Sequence, residues 1–98
     1  MSLSEIQKRQ LRKLGHNLKP VVMIGANGLT DAICTETDLS LAHHELLKIK
    51  VNAGDRETRD AMIQELCQRC HAELIQRVGH IALVYRRNPE NPKIHLER

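Results

Sequence analysis

The glycine segment between residues 25 and 28 is the part of the sequence best suited to contact an anion. It reads Gly25-Ala26-Asn27-Gly28. An apolar run at residues 21–24 precedes it and a helical pattern begins at Leu29, so the loop leads into a helix with Asn27 or Gly28 near the N-cap. Unpaired N–H groups and the positive dipole end at a helix N-terminus favour a phosphate there. Taken alone, Asn27-Gly28 is equally compatible with an ordinary hairpin turn.

A second segment carries cysteine and histidine at a spacing with known chemistry. It reads Cys67-Gln68-Arg69-Cys70-His71. This C-x-x-C-H pattern is that of covalent haem attachment, and C-x-x-C also occurs in redox and zinc sites. Haem attachment implies export, which the polar N-terminus does not support. A redox thiol belongs at a helix N-terminus, whereas this pair falls at the C-terminal end of a predicted helix. A structural zinc needs a second ligand pair, which Cys34 and the scattered histidines do not supply. We therefore expect two reduced thiols packed in the core, with no metal and no cofactor.

The N-terminal region concentrates positive charge. Residues 1–20 contain one acid and five basic residues, a local charge of +4, and the basic residues are Lys8, Arg9, Arg12, Lys13 and Lys19. The first four occupy one arc of a predicted helix, opposite the apolar residues Leu3, Ile6, Leu11 and Leu14. No acid lies among these four cations to relieve their repulsion, so the arc is either a surface that faces an anion or a solvated helix face. Residues 29–45 are the reverse, with four acids and no lysine or arginine.

Length and composition limit the class of protein. The 98 residues suffice for one domain, and its core must be aliphatic because Tyr85 is the only Phe, Tyr or Trp. The polar stretch at residues 1–10 lacks the apolar region of a signal peptide, and no segment has the length of a membrane span. The three cysteines are an odd number, so we expect reduced thiols and not a disulfide framework. We expect a cytoplasmic protein with one domain over residues 1–98, whose core covers about residues 3–87 and whose residues 88–98 form an irregular tail.

Periodicity predicts the elements that position these residues. A capping box at Ser2 and Glu5 should begin the first helix, and residues 20–24 should form a strand buried on both faces. Residues 45–52 alternate, which places Lys48 and Lys50 on a partly wet face of the second strand. Asp55 should cap the third helix, and two strands at residues 74–78 and 81–85 should form a hairpin.

The predicted order α-β-α-β-α-β-β corresponds to an α/β domain. Right-handed crossovers make the first three strands parallel, and the hairpin makes the fourth antiparallel to them. The fourth strand is the most apolar segment of the chain and should be central. These rules predict a four-stranded mixed sheet in the order 1-2-4-3 with the helices packed on it.

No catalytic arrangement is apparent in the sequence. His43 and His44 fall at the end of the second helix, where imidazole suits the negative dipole end, and this structural interpretation outweighs a catalytic one. Paired carboxylates, a serine–histidine–acid set and a P-loop lysine motif do not stand out. We therefore predict no catalytic residue and no metal ligand.

Several segments together resemble a known family. They are LKPVV at residues 18–22, IGANGLT at 24–30, HELLKIK at 44–50, DRET at 55–58, VGH at 78–80 and LVYR at 83–86. This combination resembles the CRM domain (chloroplast RNA splicing and ribosome maturation), in particular its stand-alone bacterial, YhbY-like form. The resemblance covers about residues 3–87.

The resemblance implies a fold similar to the C-terminal domain of bacterial translation initiation factor three. It also implies RNA binding through the G-x-x-G loop and the adjoining basic surface, and association with precursors of the large ribosomal subunit. The family loop often carries a basic residue between its glycines, whereas this loop has Ala26 and Asn27. A phosphate contact here must therefore use backbone N–H groups, Asn27 and cations from elsewhere.

The predicted function is that of a monomeric, non-enzymatic protein that binds ribosomal RNA of the large-subunit precursor, without a membrane or small-molecule partner. With a single tyrosine it lacks an aromatic stacking platform, so contact should be mainly to the phosphodiester backbone. The candidate RNA-binding residues are Gly25, Ala26, Asn27, Gly28, Lys8, Arg9, Arg12, Lys13, Lys19, Lys48 and Lys50. The alternatives are a small phosphate-ligand enzyme that uses the same helix N-terminus, and a protein-interaction module that uses the acidic second helix.

Overall fold

The computed structural model describes residues 3–97, which form three helices and four strands in the predicted order. They are α1 (Glu5–Gly15), β1 (Pro20–Ile24), α2 (Asp31–His44), β2 (Leu46–Val51), α3 (Arg56–Cys70), β3 (Glu73–Val78) and β4 (Ile81–Tyr85). Within residues 3–97, none of the helices combines the length and the apolar character needed to cross a bilayer.

The four strands form one mixed sheet in the order β1-β2-β4-β3, as the sequence predicts. β1 is parallel to β2, while β4 is antiparallel to both β2 and β3. The apolar β4 is central, and its four residues from Ala82 to Tyr85 are buried. Because β1 and β2 are parallel, their C-terminal ends lie side by side, and Ile24 pairs with Val51 there.

Two separate cores lie on the two faces of the sheet. On one face, α2 and α3 cover a larger core that includes Val22, Ile49 and Val84. On the other face, Leu3 and Leu11 of the α1 region cover a smaller core. The sheet and C-terminal residues of this smaller core are Leu46, Ile75, Leu83, Tyr85, Ile94 and Leu96. The alternation along each strand explains the division, since neighbouring residues point to opposite faces.

The predicted double burial of β1 is wrong. β1 lies at the edge of the sheet, and Val21 and Met23 are 51% and 58% exposed while Val22 and Ile24 are buried. α1 packs mainly on β2 and β3, so it leaves this face of the edge strand open to solvent. A four-residue apolar run therefore marks here an edge strand with one covered face.

The start of α1 also differs from the prediction. Ser4 is the N-cap, and its hydroxyl accepts a hydrogen bond of 3.1 Å from the backbone N–H of Gln7. The Gln7 side chain accepts a bond of 3.0 Å from the Ser4 backbone N–H, which completes a capping box two residues later than expected. Ser2 lies outside the described residues. Of the four apolar residues predicted for the buried arc, Ile6 and Leu14 are about half exposed.

Residues 88–97 contain no helix or strand, but they are anchored by a buried carboxylate. Glu45, between α2 and β2, is 0% exposed. One of its oxygens accepts hydrogen bonds from the backbone N–H groups of Lys93 (2.6 Å) and Ile94 (2.7 Å), and the other accepts one from that of Asn88 (2.6 Å). The Gln10 side chain makes two further bonds to the backbone of this segment. The C-terminal residues are thereby fastened over the smaller core.

Candidate nucleic-acid interface

The glycine loop is a tight turn at the end of β1. The backbone N–H of Gly28 donates a 3.0 Å hydrogen bond to the carbonyl of Gly25. Gly28 has a φ of +73°, a conformation that side chains disfavour, whereas Gly25 does not need a positive φ. Ala26 and Asn27 form the exposed tip. Within residues 3–97 their N–H groups donate to no protein acceptor, so they are available to an anion.

The helix after the loop begins later than the sequence analysis predicts. The N-cap of α2 is Thr30, not Asn27 or Gly28, and its hydroxyl accepts a 3.2 Å hydrogen bond from the N–H of Ile33. Asp31 is the first helical residue, and its carboxylate lies 2.7 Å from the Arg69 guanidinium. The N-terminus of α2 thus already has a cap and an acidic residue. An anion is better accommodated at the turn tip than on the helix end.

The turn after β2 contacts the end of β1 that leads into the loop, and arginines that the sequence did not indicate follow this turn. The N–H of Asn52 donates a 2.8 Å hydrogen bond to the carbonyl of Ile24, just before Gly25. α3 starts four residues later with Arg56, and the Arg59 guanidinium donates to the carbonyl of Gly54 at 2.9 Å. The parallel pairing of β1 and β2 could have suggested this proximity, because both strands end at the same edge.

Of the predicted lysines on β2, Lys50 is adjacent to the loop strand. It pairs with Met23 of β1, two residues before Gly25, while Lys48 pairs with Pro20 at the start of β1. Both lysines are half-buried on the sheet face that carries α1, as the alternation predicts. Lys50 and the arginines at the start of α3 therefore lie on elements that adjoin β1 and the turn.

The structure separates Lys19 from the glycine loop. Lys19 directly precedes β1, and the five residues of that strand separate it from Gly25 by about 20 Å, six steps of about 3.3 Å each. The cationic arc of α1 consists of Lys8, Arg9, Arg12 and Lys13. Lys8 and Arg12 are half-buried and the other two are exposed. Among the described residues the arc forms no ion pair, so its charges remain available to a polyanion.

Comparison with known proteins identifies the family. The family model for the CRS1/YhbY (CRM) domain matches residues 3–86. The chain belongs to this family. It is 44% identical to an RNA-binding protein of Haemophilus influenzae, over 99% of this chain and 97% of that protein. It is also 42% identical to a probable RNA-binding protein of Pseudomonas aeruginosa, over 95% of this chain and 89% of that one.

A solved structure has the same fold. It is the solution structure of a hypothetical protein from Staphylococcus aureus that is described as a candidate RNA-binding protein. The two chains are 31% identical, the TM-score is 0.83, and the match covers 98% of this chain and all of the other. The family and the fold expected from the sequence are therefore confirmed.

The cysteines of this CRM domain are core residues. Cys70 is buried, and its thiol lies 3.6 Å from the carbonyl oxygen of Cys34. Burial raises the pKa of Cys34 and of Cys70, and burial together with the neighbouring Cys70 raises the pKa of Cys67 to about 11. The thiols are thus protonated near neutral pH and poor nucleophiles. Among residues 3–97 there is no cluster of three or more potential metal ligands.

Much of the acidic surface of α2 is paired within the CRM domain. Asp31 pairs with Arg69 of α3, and the Asp38 carboxylate lies 2.6 Å from the guanidinium of Arg86. The same guanidinium donates to the carbonyls of Asp38 and Cys70, both at 2.9 Å. These acids therefore join α2 to its neighbours in the fold.

Proposed function

We propose that this protein binds RNA without catalysing a reaction, and that the RNA is ribosomal RNA in precursors of the large subunit, whose assembly it assists. Membership of the CRM family and the names of the relatives support RNA as the ligand. The resemblance described above supports the ribosomal assignment. The glycine turn and the adjoining cations are the contact surface.

The observation that carries the proposal is the exposed turn tip between cations. The N–H groups of Ala26 and Asn27 have no protein acceptor among the described residues, and Lys50 and Arg56 lie on the elements that adjoin the turn. Backbone N–H groups and side-chain cations bind phosphate oxygens irrespective of base identity. Such a surface positions a phosphodiester backbone, and the arc of α1 extends the positive field beyond the turn.

The two alternative functions have weaker support. A phosphate-ligand enzyme would use the N-terminus of α2, where Thr30 and Asp31 already occupy the positions that an anion needs. A protein-interaction module based on the acidic helix would compete with the pairing of Asp31 and Asp38 to arginines of the same domain. The turn and its cations are free of both objections.

The test is to isolate the protein from cross-linked cells and sequence the RNA bound to it. Gly25→Asp is the informative variant because a Cβ at Gly25 meets no atom within 4 Å and the backbone needs no positive φ. The added carboxylate would face the incoming phosphate, so we expect about tenfold less bound RNA. Gly25→Ala is the matched control and should retain most of the binding. Gly28 is unsuitable, since any side chain is strained at its φ of +73°.

The proposal predicts enrichment of large-subunit ribosomal RNA with unprocessed ends. Equal recovery of RNA by the wild-type protein and a folded Gly25→Asp variant would contradict the loop as the contact site. Enrichment of other RNA classes would contradict the ribosomal assignment while leaving RNA binding in place.

A further inference from the structure

A cleft lies between the end of α1 and the open part of the sheet. Its volume is about 280 Å³, and its lining residues are His16, Lys48, Gln76, Val78, Ile81 and Leu83. We call it the α1–sheet cleft. Of its lining residues only Lys48 is a predicted RNA-binding residue, and the backbone contacts at the glycine turn do not need the cleft.

Next to the cleft, α1 approaches the sheet closely at Gly15, the residue before His16. A Cβ at Gly15 would lie 2.7 Å from a methyl carbon of the buried Leu83, so a larger residue would require Leu83 or the helix end to shift. The chain then turns away at His16, and the sheet beyond Leu83 stays uncovered. Val78 and Ile81, which pair across the β3–β4 hairpin, are 64% exposed and half-buried, respectively.

The lining combines an apolar floor with three polar groups of different chemistry. Val78, Ile81 and Leu83 provide the floor. His16, Lys48 and Gln76 provide an imidazole, an ammonium and an amide, and no acid among residues 3–97 lines the cleft. None of these three side chains makes a hydrogen bond or ion pair to another group in the part of the chain that the structure describes. An apolar floor with a few polar side chains that are free to bond a ligand is typical of small-molecule sites.

We propose that the α1–sheet cleft holds one unpaired nucleobase of the bound RNA, an inference that rests on the proposed function. Proteins read RNA sequence mainly from bases that leave the stack, which they cover with aromatic or guanidinium planes and bond along the base edge. Here the apolar residues cover the base, the His16 imidazole stacks on it, and the Gln76 amide donates to and accepts from its edge. Lys48 neutralises the phosphate attached to that nucleotide.

Size and charge favour this occupant. The volume lies just below the range of about 300–1,000 Å³ typical for drug-sized ligands, so the cleft suits one base rather than an extended ligand. A phosphate group alone would leave the apolar floor without a partner. The positive lining matches a polyanionic chain, and the cationic arc of α1 ends at Lys13, about one helical turn before His16.

Lys50 connects the cleft to the glycine turn. It pairs with Met23 of β1 on one side and with Ile81 of the cleft on the other. A single strand of RNA can therefore run from the turn, past Lys50, into the cleft on the same sheet face. The turn would hold the backbone and the cleft would read one base.

The test uses uridine octamers of single-stranded RNA that carry A, C, G or U at the fourth position, together with an RNA duplex of the same length. Val78→Glu places a negative charge at the cleft, and we expect about tenfold weaker binding of the octamers with much less effect on the duplex. Leu74→Glu is the matched control, because Leu74 is also an exposed apolar residue of β3 but lies on the opposite face, beside α3. It should change octamer affinity by less than about twofold.

Gln76→Leu tests the reading of the base edge. It keeps the volume and removes the amide, so the affinities for the four octamers should converge while duplex binding is unchanged. Equal effects of Val78→Glu and Leu74→Glu, or equal weakening of octamer and duplex, would overturn the inference. If Gly25→Asp weakens binding and Val78→Glu does not, RNA binding at the turn stands and the cleft proposal fails. If the wild-type protein binds neither RNA, both proposals fail.

Discussion

Cys67 and Cys70 show how one motif can be explained by packing alone. Their spacing matches three kinds of cofactor or redox site, yet both thiols lie on the stripe of α3 that faces the larger core. Raised pKa values leave little thiolate near neutral pH, which makes both thiols weak nucleophiles for disulfide exchange. The C-x-x-C-H pattern is thus accounted for by the burial of one side of a helix.

Replacing these cysteines should therefore change stability and not RNA binding. Cys70→Ala should lower the free energy of unfolding by about 1–2 kcal/mol because Cys70 is fully buried, and Cys67→Ala should cost less because Cys67 is half-buried. Urea unfolding and RNA titration of the two single variants measure both quantities. Stoichiometric zinc by elemental analysis, or a haem absorption band, would contradict the packing explanation.

At the residue level, the sequence predicted which side chains are buried better than it predicted polar anchors. The core position of Cys67 and Cys70 and the Asp55 cap, whose carboxylate accepts a 2.8 Å bond from the Thr58 N–H, both follow from local spacing. Glu45 does not, because its carboxylate bonds to residues 43 to 49 positions away in the chain. Nothing near it in sequence indicates burial. Only the folded chain shows that a carboxylate is fully satisfied there.

At the scale of elements, the end of α3 carries a strained residue. His71 has a φ of +54°, and its N–H and that of Ala72 bond to the carbonyls of Gln68 and Cys67, the pattern of a Schellman motif. A left-handed conformation costs a residue with a Cβ about 1–2 kcal/mol. Glycine is the residue that this position ordinarily uses.

His71→Gly should therefore stabilise the protein by about 1 kcal/mol. Thermal or urea unfolding measures the gain. His16→Gly is the matched control, since His16 also ends a helix but has a right-handed φ of −56°, and there glycine should give no gain. If both variants are destabilised alike, relief of backbone strain at His71 contributes little to the free energy of unfolding.

The sheet order could be predicted because it depended on one segment, while the exposure of β1 could not. The burial of β4 required a central position, and handedness rules then left one order. An apolar run such as that of β1 fits both a central strand and an edge strand with one open face, and the choice depends on where α1 packs. The start of α2 was misplaced for a similar reason, because Thr30 and Asn27 are both good caps and only the turn geometry selects between them.

At the scale of the whole molecule, the C-terminal segment is coupled to Glu45. Removing residues 88–98 would leave the Glu45 carboxylate without its three backbone donors. It would also remove Ile94 and Leu96, which cover part of the smaller core. We expect the truncation to cost about 3–5 kcal/mol of unfolding free energy. Glu45→Gln should be destabilising in the full chain and much less so in the truncated chain. Urea unfolding of all four proteins gives the coupling, and additive effects would show that the anchor is energetically unimportant.

The distribution of charge over the whole molecule determines how RNA binding responds to salt. If about three to five of the available cations contact phosphates, the slope of log affinity against log salt concentration should be about −2 to −4 for a single strand. Arg12→Ala with Lys13→Ala should weaken binding across RNA sequences and flatten this slope by about one to two. Asp31→Ala with Glu36→Ala is the matched control on the acidic helix and should not weaken binding.

The salt titration also distinguishes the two parts of the positive surface. Arg12 and Lys13 lie on α1, whereas Lys50 and Arg56 lie on β2 and α3, the elements that adjoin the glycine turn. A variant of α1 that keeps the wild-type slope would show that its arc is a solvated face. The contacts would then be restricted to the sheet edge, and Lys50→Ala with Arg56→Ala should flatten the slope instead. Loss of slope in both double variants would indicate one continuous RNA path from α1 across the open sheet face to the turn.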